Sequence, residues 1–215
     1  MIKIQNPDNV RLYHITHATN LSGIIEAGGL WSDNACAEKG ISSLNIGYSR
    51  LKARRLTTPV PLRTGKYVGD YVPLYFANRM PMLYAISQNQ VVEYSGEQRE
   101  IIYLVTTIGD VLRRCENWLF TDGHAVESIS GFYNDLADLE QLDWNLVEAW
   151  SWRNTTDDND RKRRKQAEFL VEKYLPWECI NKIAVYDEIM VGRVKTALAG
   201  AAHCPEVCVE SKWYY

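Results

Sequence analysis

Residues 161–177, RKRRKQAEFLVEKYLPW, carry the reading of the whole chain. The stretch has three parts. A basic run (Arg161, Lys162, Arg163, Arg164, Lys165) leads into a strand-like segment, Gln166 to Val171, and Pro176-Trp177 stops it. Side chains alternate along a strand, so Ala167, Phe169 and Val171 share one face while Glu168 points with Leu170 to the other. A carboxylate inside an apolar strand must meet a donor, a cation or a ligand, because burying it unpaired is costly. Glu168 is therefore either a structural carboxylate, solvated or paired with a neighbouring arginine, or a functional one.

Composition narrows the class. The chain has 215 residues, 46% hydrophobic and 24% charged, ordinary values for one sizeable domain covering 1–215. Its formal charge is -3, so any nucleic-acid contact uses local patches rather than a global basic footprint. Seven tryptophans and thirteen tyrosines supply core volume and also flat faces for stacking. The N-terminal MIKIQNPDNV lacks the apolar core of a signal peptide, and no apolar run is long enough to span a bilayer. The five cysteines are spread out and form no C-x-x-C pair, as in a cytoplasmic protein with reduced thiols. Cys204, Cys208 and His203 lack the second ligand pair of a zinc site.

Along the chain, Leu12 to His17 reads as a strand. Thr19 is placed to cap a helix over Leu21 to Ala27, which Gly28 and Gly29 end. Residues 33–46 read as a polar surface loop, 48–56 as a short basic helix and 57–70 as a Pro/Gly-rich loop. Tyr71 to Ala77 is an aromatic strand, followed by a helix opening on Pro81. Further strands are expected over 101–107, 118–121, 180–186 and 207–209. Helices are expected over 111–115, 131–139 and 189–198, and residues 157–160 as a flexible loop. Many strands with short intervening helices point to an α+β fold with split or mixed sheets.

Several polar groups compete for function. His14 and His17 in H-x-x-H face opposite sides of a strand and cannot share one metal ion. His14 is then either a satisfied core histidine or a partner for a ligand hydroxyl or phosphate. Lys52, Arg54 and Arg55 form a basic helix face, solvated or anion-binding. Tyr75, Phe76, Arg79, Met80, Met82 and Tyr84 mark a strand-to-helix junction, either core or ligand box. His124 follows an Asp122-Gly123 turn. Walker loops, G-x-G-x-x-G, H-E-x-x-H and G-x-S-x-G are absent, which argues against kinase, dinucleotide dehydrogenase, metalloprotease and α/β-hydrolase chemistry.

In this order the segments resemble the DarT family of DNA ADP-ribosyltransferases, toxins with a fold like that of poly-ADP-ribose polymerases. The matching residues are Leu12 to His17, Gly28-Gly29-Leu30, Ile46-Gly47, Lys52 to Arg55, Gly69 to Phe76, Arg79, Met82 to Tyr84, Phe120 to Ala125, Asp143-Trp144, Arg164 to Val171 and Pro176-Trp177. The resemblance implies an ADP-ribosyltransferase fold with split antiparallel and mixed sheets flanked by short helices. It implies transfer of ADP-ribose from NAD, the co-substrate, onto thymine in single-stranded DNA, in a sequence-dependent manner and with loss of nicotinamide. No metal is required. It makes Glu168 the catalytic glutamate and places the catalytic arginine in the Arg54-Arg55 pair, with Arg54 preferred. His14, Thr16, Asn20, Tyr75, Met82 and His124 would hold NAD. Lys52, Arg79, Met80, Arg161, Arg163 and Arg164 would face DNA. A macrodomain antitoxin, an ADP-ribosyl glycohydrolase on a separate chain, is the implied partner.

The chemistry is coherent with these residues. Cleaving the nicotinamide bond builds positive charge on the ribose, as glycoside cleavage does, and a carboxylate stabilises it while accepting hydrogen bonds from the sugar hydroxyls. The thymine imide must lose its proton. A guanidinium stays charged, so it stabilises the deprotonated base while Glu168 or water takes the proton. Two other readings stand beside this one: an ADP-ribosyltransferase acting on protein or RNA, and a nucleic-acid-binding module in which Glu168 is structural.

Overall fold

The computed structural model describes residues 6–215. In chain order the elements are β1 (Arg11–His17), α1 (Leu21–Glu26), β2 (Gly29–Trp31), α2 (Asp33–Lys39), α3 (Ser49–Thr57), β3 (Tyr71–Tyr75), α4 (Pro81–Ser87), β4 (Ile101–Thr107) and α5 (Ile108–Leu112). They continue with β5 (Trp118–Thr121), β6 (Phe132–Tyr133), α6 (Trp144–Glu148), α7 (Arg161–Arg164), β7 (Glu168–Glu172), β8 (Tyr174–Pro176), β9 (Lys182–Val185), α8 (Glu188–Ala197) and β10 (Glu206–Val209). Eight strands form one mixed sheet in the order β10-β9-β4-β1-β3-β7-β5-β6, and β2 pairs with β8 in a small second sheet. Only β9 and β10 run parallel; the other registered pairs of the large sheet are antiparallel.

The sheet is nearly split in the middle. β1 pairs with β4 over its full length, and β3 pairs with β7 from Tyr71↔Glu172 to Tyr75↔Glu168. Between the halves, β1 and β3 register only at Tyr13↔Tyr75. Pro73 explains the gap. Its carbonyl points at β1, where the His14 ring Nδ1 meets it at 2.9 Å. A strand residue's N–H and C=O point the same way, so the donor that proline lacks is missing from this seam. The ladder opens there into a cleft.

Alternation sorts the central strands between cores. Leu12 joins the larger core with Leu74, Phe169 and Val171, while Tyr13 and Ile15 join a second with Tyr103, Val105 and Leu83. Leu170 enters a third with Val60, Val68 and Tyr71. Ala167, Phe169 and Val171 thus share one face, as the period-two pattern requires.

Several local expectations are corrected. Residues 33–39 form α2, capped by the Ser32 hydroxyl accepting from Ala35 N–H and closed by left-handed Gly40, rather than belonging to a loop. The expected helix over 131–139 is instead β6 followed by a 3-10 turn, Leu136–Gln141. Tyr133 stacks on Phe120 across the strand pair, a tertiary contact that overrides helical spacing. Thr19 does not cap α1; its hydroxyl meets His17 Nδ1 at 2.7 Å. The helix after β4 lies at 108–112, not 111–115. β2 and β8 were too short to read. They exist because Gly29 lets the two backbones approach.

That approach is testable. Gly29 sits at φ 152°, and a Cβ there would overlap the Leu175 carbonyl oxygen. Gly29→Ala is expected to destabilise the fold by about 2–3 kcal/mol, read as a lower urea midpoint with unchanged slope.

Candidate active site

Glu168 opens β7 beside Tyr75, its cross-strand partner, which is itself the residue where β1 and β3 meet. The carboxylate is fully buried. Arg55 Nη1 donates to Oε2 at 2.7 Å, and the Ala125 backbone N–H donates to Oε1 at 2.8 Å. Thr121 Oγ1 accepts from the Glu168 backbone N–H at 3.3 Å, holding the start of the strand. Burial by itself raises the Glu168 carboxyl pKa. The Arg55 charge, His124 and the Ala125 N–H outweigh that and hold it below the usual carboxylate range. Burial likewise lowers Arg55, but Glu168 more than compensates and the guanidinium stays firmly charged.

Arg55 leads from this buried pair to a cleft of about 790 Å³, which it helps to line. His14, Thr16, Asn20, Tyr75, Met82, His124, Lys52, Arg54 and Arg55 all line it, so the open sheet seam brings these residues together. Burial lowers the pKa of both His14 and His124, favouring neutral imidazoles. Burial and the Glu168 charge raise Tyr75. Three buried nitrogens, Arg55 Nε, Arg55 Nη2 and His124 Nδ1, have no hydrogen-bond partner among the described residues. Buried donors are ordinarily satisfied, so these are places for a ligand's acceptors.

Other expected residues have different work. Asn20 ties loop to strand: its amide donates to Thr16 Oγ1 and Leu44 O and accepts from Leu44 N–H. Lys52 pairs with Asp33 at 3.1 Å. Arg54, preferred from sequence, donates to Val126 O at 2.7 Å and faces Glu127 at the rim, whereas Arg55 reaches the carboxylate. Successive residues on a helix point about 100° apart, so the two arginines leave α3 in different directions although both border the cleft.

Four of the proposed DNA residues are engaged inside the protein. Met80 is 1% exposed and packs in the second core. Arg79 donates to the Lys212 and Tyr214 carbonyls and lies between the Trp150 and Tyr215 rings, 4.3 and 4.1 Å from their centroids. Arg163 pairs with Asp122 and Asp160, and Arg164 with Asp143, Asp158 and Asp160. The polar stretch 157–160 is thereby tied to α7 rather than left loose. Missed by sequence reasoning were Trp152, Arg153 and Gln166, which also line the cleft, as does Lys162 of the basic run. Gln166 belongs to the decisive stretch, but nothing in its spacing marked it.

Among the described residues no group of three or more histidine, cysteine or acidic side chains is placed to hold a metal ion, and no helix is long and apolar enough to cross a membrane.

The Arg55–Glu168 pair yields a stability prediction with a definite sign. Glu168→Gln leaves a buried guanidinium without its counter-charge and is expected to cost about 3 kcal/mol. Because the folded carboxyl pKa is depressed, the wild-type advantage is complete above the ordinary glutamate value of about 4.3 and is lost as pH falls through the folded value. Urea titrations of wild type and Glu168→Gln from neutral to acid pH should therefore converge at low pH.

Residues 13–215 match the family model described as ssDNA thymidine ADP-ribosyltransferase, DarT. The DNA ADP-ribosyl transferase of Thermus sp. strain 2.9 is 39% identical over 211 residues, covering 97% of this chain and 98% of that one. A solved structure of the Thermus sp. 2.9 DarT in complex with ADP-ribosylated ssDNA superposes with a TM-score of 0.89 at 37% identity, covering all of both chains. The same protein in complex with NAD+ gives 0.85 at 36% identity, covering 98% of this chain and all of that one. A fusion of DNA ADP-ribosyl transferase and glycohydrolase from Thermosipho africanus is 24% identical over 187 residues, with 87% of this chain and 45% of the fusion aligned. The split mixed sheet, the cleft at its seam and these matches have one conclusion: the chain belongs to the DarT family of ssDNA thymidine ADP-ribosyltransferases.

Proposed function

We propose that Glu168 and Arg55 are the groups through which this DarT family member transfers ADP-ribose from NAD onto thymine in single-stranded DNA. The observation that carries the assignment is the buried 2.7 Å contact between Glu168 and Arg55, the latter lining the cleft. Bound NAD supplies the ADP-ribosyl group and nicotinamide as leaving group. The cleft, at about 790 Å³, has the size expected for a small-molecule site. The unpartnered His124 nitrogen suits an acceptor oxygen of a dinucleotide. His14, Thr16, Tyr75 and Met82 provide the surrounding wall.

Glu168 stays negative, and the Ala125 N–H fixes its orientation. A carboxylate held this way accepts hydrogen bonds from ribose hydroxyls and stabilises positive charge on the sugar without reorganising. Arg55 keeps two further donors, Nε and Nη2, for an acceptor that carries developing negative charge, such as the thymine imide oxygen. Arg54, at the rim, contacts substrate less directly. Single-stranded substrate fits the chemistry, since the imide nitrogen is hidden in a duplex and extruding the base costs a few kcal/mol.

The same reading supplies a partner and a place. A macrodomain glycohydrolase on a separate chain reverses the modification, as the fused relative carries transferase and glycohydrolase together. The enzyme works in the cytoplasm, in keeping with five free thiols.

The test is labelled NAD with single-stranded oligonucleotides that contain or lack thymine, alongside RNA and protein. Label on thymine oligonucleotides alone is expected; label on RNA or protein, or none with binding retained, refutes the assignment. Glu168→Ala is expected to lose about 10²–10³-fold in turnover with its fold retained by circular dichroism. Arg55→Lys should lose far more than Arg54→Lys, because an ammonium cannot reproduce the fork; equal losses would remove Arg55 from its role.

A further inference from the structure

The basic run on α7 was expected to meet phosphates, yet its two outermost residues point at backbone. Lys165, 1% exposed, brings Nζ to the carbonyls of Leu146 (3.2 Å), Val147 (2.7 Å) and Ala149 (2.7 Å). Arg161 continues the row: Nη2 donates to Ser151 O at 3.0 Å and Nε to Arg153 O at 3.1 Å. Residues 149–153 lie in neither helix nor strand. Their carbonyls need partners from elsewhere, and the end of α6 leaves further carbonyls unmatched. Two cations meet this need at Leu146, Val147, Ala149, Ser151 and Arg153. Arg164 adds a third tie, to Asp143 at the start of α6.

The segment so held reaches the cleft. Trp152 and Arg153 line it together with Lys162 and Gln166 of the following stretch. Trp152 is steadied by its indole N–H on Tyr215 Oη at 2.8 Å and by edge packing on Tyr84. Arg153 is exposed, with Nη2 3.1 Å from Tyr84 Oη. Trp152 itself is buried and anchors the segment, while the exposed Arg153 offers the cleft a cation of the kind that tracks the backbone of a single strand.

We propose that Lys165 and Arg161 are positioning residues for the DNA substrate, holding the backbone of residues 146–153 so that Arg153, beside the buried anchor Trp152, keeps a fixed place at the cleft. They do this through carbonyls, not through phosphates. The proposal rests on the chain's activity on thymine in single-stranded DNA.

The test separates positioning from direct contact. In the full-length protein, Lys165→Met and Arg161→Lys are assayed for KM and kcat toward a thymine oligonucleotide, for KM toward NAD, and for the salt dependence of oligonucleotide KM. Both variants are expected to raise oligonucleotide KM about tenfold while KM for NAD stays within about twofold, since a loosened rim misplaces the base but not the sugar. Arg161→Lys keeps the charge but cannot span two carbonyls, so it should fail to rescue. The slope of log KM against log salt should match wild type, whereas loss of one phosphate contact would flatten it by about 0.7. A flattened slope, an unchanged oligonucleotide KM, rescue by Arg161→Lys, or an equal rise in KM for NAD overturns the proposal. Should Lys165→Met fail to fold, by thermal melting, Arg161→Lys at its more exposed site decides alone. Failure of wild type to label thymine would sink the activity itself, a result distinct from these.

Discussion

A carboxylate buried in a sheet is tolerable only while a charge faces it, and Arg55 is that charge. The rest of the site follows from this constraint. Glu168 cannot be neutralised without stranding the guanidinium, and Arg55 cannot leave without stranding the carboxylate. Such a pair contributes little net stability compared with apolar packing, because both desolvation costs must be offset. Its presence, fully buried at the start of a central strand, therefore argues for chemistry rather than for folding. The orphaned Nε and Nη2 of Arg55 strengthen that argument, since a purely structural guanidinium would have those donors matched.

The seam in the sheet is the second condition. Strands that pair along their whole length leave no room for a ligand between them. Here a proline removes one ladder donor and a histidine ring takes the freed carbonyl, so β1 and β3 part immediately beside the Tyr13↔Tyr75 pair. The cleft is thus written into the backbone, and its walls come from the two half-sheets. Closing it by substituting Pro73 would have to supply an N–H and move His14 at the same time.

The long strands were legible because period-two patterns and β-branched runs survive any context: Leu12 to His17, Ile101 to Thr107 and Glu168 to Val171 all form. The face of Glu168 was legible for the same reason. What stayed hidden was decided by tertiary contact. β2 and β8 have three residues each and depend on Gly29 lying against Leu175. The stretch 131–139 spaces its apolar residues like a helix, yet Phe120 recruits Tyr133 into a strand pair. Which of Arg54 and Arg55 meets Glu168 depends on the orientation of α3, which one-dimensional motif matching ignores.

Charge was the least legible property, and the reason is physical. A run of five cations reads as an interaction surface, because isolated like charges repel and are usually solvated. In this chain the aspartates at 122, 143, 158 and 160 lie near α7 in space although two of them are distant in sequence. They neutralise Arg163 and Arg164, and carbonyls absorb Lys165 and Arg161. An overall charge of -3 is consistent with this arrangement: four of the five cations of the run are engaged by aspartates or carbonyls, and Lys162 lines the cleft. A protein that binds one strand at one base does not need a broad electrostatic footprint. Affinity then rests on a few fixed contacts, and the backbone that carries Trp152 and Arg153 has to be rigid before the strand arrives.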